Sequence, residues 1–268
     1  MIYQPTRKKE LGNKVNEIQL TIHISRTSVH VAEVLRSSQE IVRAEELLLH
    51  ESNPVQYKLK LNEFFNEKGF NKDYVEVSAA WSTAQHAVIP LAVYNDSSKE
   101  ALFNFLFEPN EENTKLDFNR LMELSLVSVF EIPDWVKSFL VIKFPRIILK
   151  HEHAIFLRAI FQANTFKRKV FLSLCDDYIN IAIVYHNELC FSNSYEYVNA
   201  DDMIYYFMYV IENQKLLDEN IIVEGYYTNQ KAKDLLTGFE EKLSQIRSKE
   251  KMEIHPFKNS LTLQTLCV

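Results

Sequence analysis

One order of segments occurs twice along this chain, and it restricts the possible folds more than any other feature. Residues 17–81 and 169–224 each read as three closely spaced strands, a helix and a further strand. In the first copy the strands are Glu17–Ile24, Ser28–Leu35 and Glu40–Leu49. The first two alternate, with Ile18, Leu20, Ile22 and Ile24 on one face and Val29 and Val31 on another, which predicts a half-buried antiparallel sheet. The separators Ser25-Arg26-Thr27 and Arg36-Ser37-Ser38-Gln39 are short and polar, as hairpin turns are. Asn53-Pro54 then supplies an N-cap and a first-turn proline for a helix carrying Val55, Leu59, Leu61, Phe64 and Phe65, and Gly69 supplies its stop. Strand Tyr74–Trp81 follows. In the second copy Val170–Cys175, Tyr178–Tyr185 and Glu188–Tyr197 are joined through Asp176-Asp177 and His186-Asn187, and lead into helix Ala200–Leu217 and strand Ile221–Glu224. The copies share order and spacing rather than residue identity.

The rest of the chain fills in around these repeats. His86–Val93 reads as an edge or bulged strand because Pro90 lies inside it. Asp96–Lys115 reads as a connecting helix and loop, Leu121–Ile132 as one long strand, and Pro133-Asp134-Trp135 as the start of a short helix. Arg146–Leu149 reads as a strand and His151–Asn164 as an amphipathic helix with Ile155, Phe156, Ala159 and Ile160. A helix over Lys231–Ile246 and a strand over Met252–Phe257 close the chain. The expected fold is α/β with two lobes, 1–164 and 165–268, each with a mixed sheet: three opening strands antiparallel, the later ones parallel through helices.

Composition excludes several classes. A chain of 268 residues with 47% hydrophobic and 25% charged residues is neither disordered nor fibrous. A net charge of −6 gives no support to sequence-independent binding of nucleic acid. No apolar run approaches the 18 or so residues of a membrane span, and MIYQPTRKKELGNK lacks the apolar stretch of a secretory signal. Cys175, Cys190 and Cys267 have no zinc-ligand spacing and read as free thiols, so a cytoplasmic location is expected. Only four glycines are present (Gly12, Gly69, Gly225, Gly238), where average usage of about 7% gives about nineteen. Phosphate-cradling loops need glycine for close backbone approach, so this scarcity argues against nucleotide chemistry.

Two facing β-β-β-α-β-α repeats resemble the actin-like ATPase superfamily, which includes actin, the Hsp70 ATPase domain and sugar kinases and shares the ribonuclease-H-like fold. More narrowly, ADDMIYYFMYVIENQKL (Ala200–Leu216) before the strand ending in Gly225, and VFEIPDWVKSFLVIKFP (Val129–Pro145) running into HEHAIFLRAIF (His151–Phe161), resemble an uncharacterised and mostly Bacteroidetes family with that fold. The resemblance covers nearly the whole chain. It implies ATP held between lobes by a glycine-containing turn after the first strand of each repeat, and by a second glycine-rich turn under the adenosine. Here the first pair of turns falls on Ser25-Arg26-Thr27 and Asp176-Asp177, neither with glycine, and the adenosine turn on Val223–Thr228, where Gly225 is followed by bulky Tyr226. The residues that would hold a nucleotide are then Asp176, Asp177, Gly225 and Thr228.

Each candidate has a plainer reading. Asp176-Asp177 suits Mg²⁺, but without a partner glycine it reads rather as a hairpin turn, where aspartate bonds its own backbone. Val170–Leu174 lacks the mid-strand acids of a two-metal nuclease. His151 and His153, at i and i+2 on a helix, point about 200° apart and share no ion. His23, His30, His50, His86, His186 and His255 form no recognisable catalytic order. Arg7-Lys8-Lys9 and Lys167-Arg168-Lys169 read as solvated turns. Nine of the thirteen tyrosines fall between 178 and 227. The helix at Ala200 is apolar nearly all round and takes up its own share, whereas Tyr195, Tyr197, Tyr226 and Tyr227 divide between core and an interaction face. The expectation is a non-catalytic actin-like scaffold or binding protein, without cofactor or metal, that meets a protein partner or itself. A residual ATP–Mg²⁺ phosphotransferase or ATPase, and a binder of another small ligand in the cleft, stand as alternatives.

Overall fold

Each repeat builds a five-stranded path in which the first strand sits at the centre. The computed structural model describes residues 17–49, 53–108, 114–162, 166–246 and 252–266. Arg7-Lys8-Lys9, Gly12, His50, Cys267 and the expected lobe boundary at 164/165 lie outside the described residues. By backbone proximity, residues up to Ala154 together with Gln264 onward form one unit, and Ile155–Leu263 form the other.

In the first unit, β1 (Ile18–Ile24), β2 (Ser28–Leu35), β3 (Glu40–Leu48), β4 (Glu76–Trp81) and β8 (Ile148–His151) are ordered β3-β2-β1-β4-β8. The β1/β2 and β2/β3 pairs are antiparallel, and β1/β4 and β4/β8 are parallel, as expected. Helices α1 (Pro54–Glu67) and α3 (Asp134–Lys143) cover one face. Tyr57, Leu61, Phe64 and Phe65 of α1 and Val136 and Leu140 of α3 pack on Leu20, Ile22, Val29 and Val31. The opening strands are buried on both faces, which corrects the half-buried expectation. Gln19, Thr21 and His23 are as inaccessible as their apolar neighbours, and only the edge strand β3 alternates with solvent. The buried amide nitrogens find partners: Gln19 Nε2 donates to Ser78 Oγ at 3.0 Å, Ser78 Oγ to Gln264 Oε1 at 2.7 Å, and Gln264 Nε2 to the Ile22 carbonyl at 2.9 Å.

The same unit carries a second sheet that the sequence reading did not separate. Leu121–Ile132 is not one strand. It is the end of β6 (Thr114–Leu121), a 3-10 turn at Met122–Leu124 closed by left-handed Ser125, and β7 (Leu126–Pro133). With β5 (His86–Pro90) these strands pair as β5-β7-β6, beside helix α2 (Lys99–Leu106). Helix α4 (Glu152–Gln162) follows β8.

The second unit repeats the first, with β9 (Lys169–Leu174), β10 (Tyr178–Tyr185), β11 (Glu188–Glu196), β12 (Ile221–Tyr227) and β13 (Met252–Ile254) ordered β11-β10-β9-β12-β13 and β14 (Lys258–Asn259) on β12. Helices α5 (Ala200–Asn213) and α6 (Gln230–Ile246) enclose its core. The likeness extends to irregularities. A register shift sits at Glu33/Val34 in β2 and, 150 residues on, at Ile183/Val184 in β10. Asn53 and Asn199 cap α1 and α5, and both helices end in paired 6→1 and 5→2 bonds around a left-handed residue, Gly69 and Lys215.

Candidate functional site

The turn after the first strand of each unit, where the resemblance places phosphate contacts, is closed by the chain's own groups. In the second unit Cys175 N–H donates to the Tyr178 carbonyl at 3.0 Å, and the Tyr197 hydroxyl, just past β11, donates to the Cys175 carbonyl at 2.7 Å. Asp176 Oδ1 accepts from Asn229 Nδ2 at 3.1 Å. Asn229 Oδ1 in turn accepts the Ala232 N–H at 2.8 Å and so caps α6, the helix end that would otherwise offer N–H groups to an anion. Buried Thr228 donates its hydroxyl to the Leu174 carbonyl at 3.4 Å. Asp176 and Thr228 are thus brought together at the C-terminal ends of β9 and β12. Asp177 is exposed on the turn. Partial desolvation of its carboxyl, with Asp176 and Glu196 nearby, holds its pKa above the usual carboxylate range.

The first unit repeats this closure with different residues. Ser25 N–H donates to the Ser28 carbonyl at 2.9 Å, and Ser25 Oγ accepts the N–H groups of Thr27 at 3.2 Å and Ser28 at 3.0 Å. The Tyr57 hydroxyl donates to the Ser25 carbonyl at 2.7 Å, as Tyr197 does to Cys175. The two N–H donors that an incoming phosphate would use here are committed to a side chain in the same turn.

Gly225 stands apart. Val223–Thr228 is not a turn, because Ile221–Tyr227 is strand β12 and Gly225 pairs with Leu172 in mid-strand. A Cβ at 225 would lie 2.3 Å from Cδ1 of Phe257, so the glycine makes room for that ring. The four tyrosines also sort out. Tyr197 and Tyr226 are buried and so fall on the core side of that division; Tyr226 packs edge-on to Phe156 at 6.2 Å. Tyr195 and Tyr227 are half-buried, the first stacked on Tyr206 at 4.7 Å and the second beneath Lys233. Among the described residues, the tyrosines most open to solvent are Tyr205 and Tyr209. In the basic run Lys167 is exposed on a bend, as expected, whereas Arg168 reaches Glu219 and Lys169 opens β9 with its Nζ 2.6 Å from Glu224.

A buried histidine cluster in the first unit escaped the sequence reading. His151 ends β8 and His153 lies on α4, so the helical 200° separation does not apply, and both rings pack at a tilt against His86, with centres at 4.6 and 4.3 Å. His151 Nε2 donates to the Thr83 carbonyl at 3.2 Å, while its Nδ1 accepts the His153 N–H at 3.2 Å, which makes the ring neutral. Burial holds all three well to the neutral side, His86 down to about 4. His86 is 65 residues from His151, and no local pattern announces such a contact. Among the described residues no group of three His, Cys, Asp or Glu side chains is placed to hold a metal ion, and no helix is long and apolar enough to cross a membrane.

A family model described as a protein of unknown function (DUF3822) matches residues 9–241. No curated protein matches the chain. Among solved structures, a Bacteroides thetaiotaomicron VPI-5482 protein with an actin-like ATPase fold and unknown function is 19% identical, with a TM-score of 0.74 over 96% of this chain and 98% of that one. The PilM–PilN type IV pilus biogenesis complex is 9% identical, with a TM-score of 0.57 over 92% of this chain and 98% of that one. The fold is therefore the actin-like ATPase fold, and at these identities the likeness extends to the fold alone.

Proposed function

The chain belongs to the DUF3822 family, and from that premise we propose that it is a non-catalytic, cytoplasmic binding protein that uses the actin-like fold as a scaffold. The observation that carries this reading is the self-satisfied turn at Asp176: its carboxylate is tied to Asn229, and Asn229 occupies the N-terminus of α6. An incoming phosphate would have to displace both bonds, and no glycine lies in either turn to admit it. Gly225, the one glycine near the adenosine position, is filled by Phe257. Exposed Cys190 without a disulfide fits a reducing compartment. The fold is compatible with partner binding, since it also occurs in the PilM–PilN complex.

Thermal unfolding with and without ATP and Mg²⁺ tests the proposal. Ligand at about 100 times Kd would add roughly 2.7 kcal/mol, a rise of a few degrees in Tm. The expected result is no shift at 5 mM ATP–Mg²⁺ (about 5 mM being ample for Kd values near 50 μM). A clear rise, abolished by Asp176→Ala, would replace the scaffold with a nucleotide-binding protein.

A further inference from the structure

A groove runs between α1 and α3 of the first unit. Two concavities of about 660 and 1070 Å³ meet along it, sharing Lys58 of α1 and Ser138 of α3. Its floor is closed where Tyr57 packs on Trp135 at 4.3 Å and Phe65 on Phe144 at 5.5 Å. Lys72, Lys115 and Lys137 on its walls are each ion-paired, with Glu33, Asp134 and Asp117. Lys58, Lys143 and Arg146 have no ion-pair partner among the described residues. Lys143 Nζ instead bonds the neutral Asn62 side chain at 2.7 Å. Ile142, between them, is 80% exposed. Unmatched cations beside exposed aliphatic surface, on a chain of net charge −6, describe a seat for an acidic and apolar ridge.

The same chain carries such a ridge on α5, the counterpart of α1 in the second unit. Tyr205 and Tyr209, 64% and 49% exposed, stack with ring centres 6.3 Å apart. Asp201 lies one turn before them and Glu212 one turn after, on the same side of the helix. Residues 198–220 hold five carboxylates and one lysine; Asp201 pairs with Lys242 and Glu219 with Arg168, and Glu212 has no ion-pair partner among the described residues. From Asp201 to Glu212 the ridge spans about 17 Å, against about 21 Å for the 14-residue α1. Size and charge both match.

We propose that the α5 ridge of one copy docks in the α1–α3 groove of a second copy, with Tyr205 and Tyr209 against Ile142 and the Glu212 carboxylate facing Lys58 or Arg146. This deepens the scaffold reading and rests on it, since it names the chain itself as a partner. The contact is heterologous: each copy offers a groove and a ridge, so assembly either closes on itself or continues. A contact built on one helix and one groove belongs to the small, transient class, so association is expected at about 10–100 μM.

Sedimentation velocity of the full chain from about 1 to 300 μM is the test, chosen to bracket that range. The expected result is a mass that rises above 31.5 kDa with concentration and weakens roughly tenfold in affinity when NaCl is raised from about 0.05 to 0.5 M. Lys58→Glu with Arg146→Glu removes the groove, and Tyr205→Ala with Tyr209→Ala removes the ridge. Each variant alone should stay monomeric, with an unchanged circular dichroism melt. Mixed, they should form a complex of one of each and no larger, through the single intact groove and ridge. A monomeric wild type at every concentration overturns the proposal and leaves the groove to a foreign acidic segment. Assembly that survives both pairs of changes overturns it too, since another face is then in use. Neither result touches the scaffold reading, which stands or falls on the nucleotide melt.

Discussion

Gly225 shows how one residue type can mislead and then explain itself. In the sequence it resembles the remnant of a nucleotide turn; in the structure it is the gap that Phe257 fills. Gly225→Ala should therefore cost about 1–3 kcal/mol in urea unfolding, the usual cost of overpacking a rigid contact, and Phe257→Ala in the same chain should make the glycine change nearly neutral. The tyrosine hydroxyls at the two turns behave as a pair. Tyr57→Phe and Tyr197→Phe each leave a carbonyl without its donor, at 25 and 175, and each should lose about 1–2 kcal/mol. The histidine cluster sets the pH response. The His86 pKa in the folded chain is depressed from 6.5 to about 4, so the unfolded chain takes up the proton first as pH falls. Stability is then fully present above about pH 6.5 and lost progressively down to about pH 4, by about 3 kcal/mol from His86 alone, with His151 and His153 acting in the same direction. Urea midpoints at pH 7.5 and 5 check this; His86→Phe should flatten the profile, and a wild-type profile that is already flat would contradict it. None of these three effects could be read from local sequence, because each depends on a neighbour brought in from another element.

Among the elements, α1 and α5 carry the duplication most plainly, with the same length, the same asparagine cap and the same left-handed exit. The exits differ in one respect: Gly69 adopts φ 66° without a Cβ, whereas Lys215 holds φ 55° with one. Lys215→Gly should therefore stabilise the chain by up to about 1 kcal/mol, and Gly69→Ala should destabilise it by a similar amount, both read as shifts in urea midpoint. Asn-Pro before an apolar run and Gly after it made α1 readable, since capping is chemistry among residues adjacent in sequence. Leu121–Ile132 misled for the opposite reason. Its apolar content suits one strand, and the break comes from Ser125 turning left-handed so that β7 can fold back on β6. No glycine or proline marks that turn.

For the molecule as a whole, the C-terminal residues matter to the first unit. Gln264, 242 residues from Ile22, donates to its carbonyl and accepts from Ser78 in the buried interior. Gln264→Ala should cost about 2–3 kcal/mol, the sum of two buried hydrogen bonds, and Gln264→Glu more, because a carboxylate there would be desolvated. The measurement is hydrogen exchange at the amides of β1 and β4, which should lose protection before those of β11 on the edge of the second unit. Equal loss at all three would mean that Gln264 acts on the whole chain rather than on the strands it touches.

Sequence periodicity by itself determined the order of elements within each repeat, the antiparallel opening of the two repeated sheets and the repetition, because alternation, caps and turn residues act between near neighbours. It also pointed to turns without glycine. Tertiary structure alone decided that the opening strands are covered on both faces, that Asn229 closes the Asp176 turn, that Phe257 occupies the space at Gly225, and that His86 meets His151 and His153. These outcomes rest on the packing of side chains tens to hundreds of residues apart, where a partner is chosen by shape and burial and leaves no periodic trace in the chain.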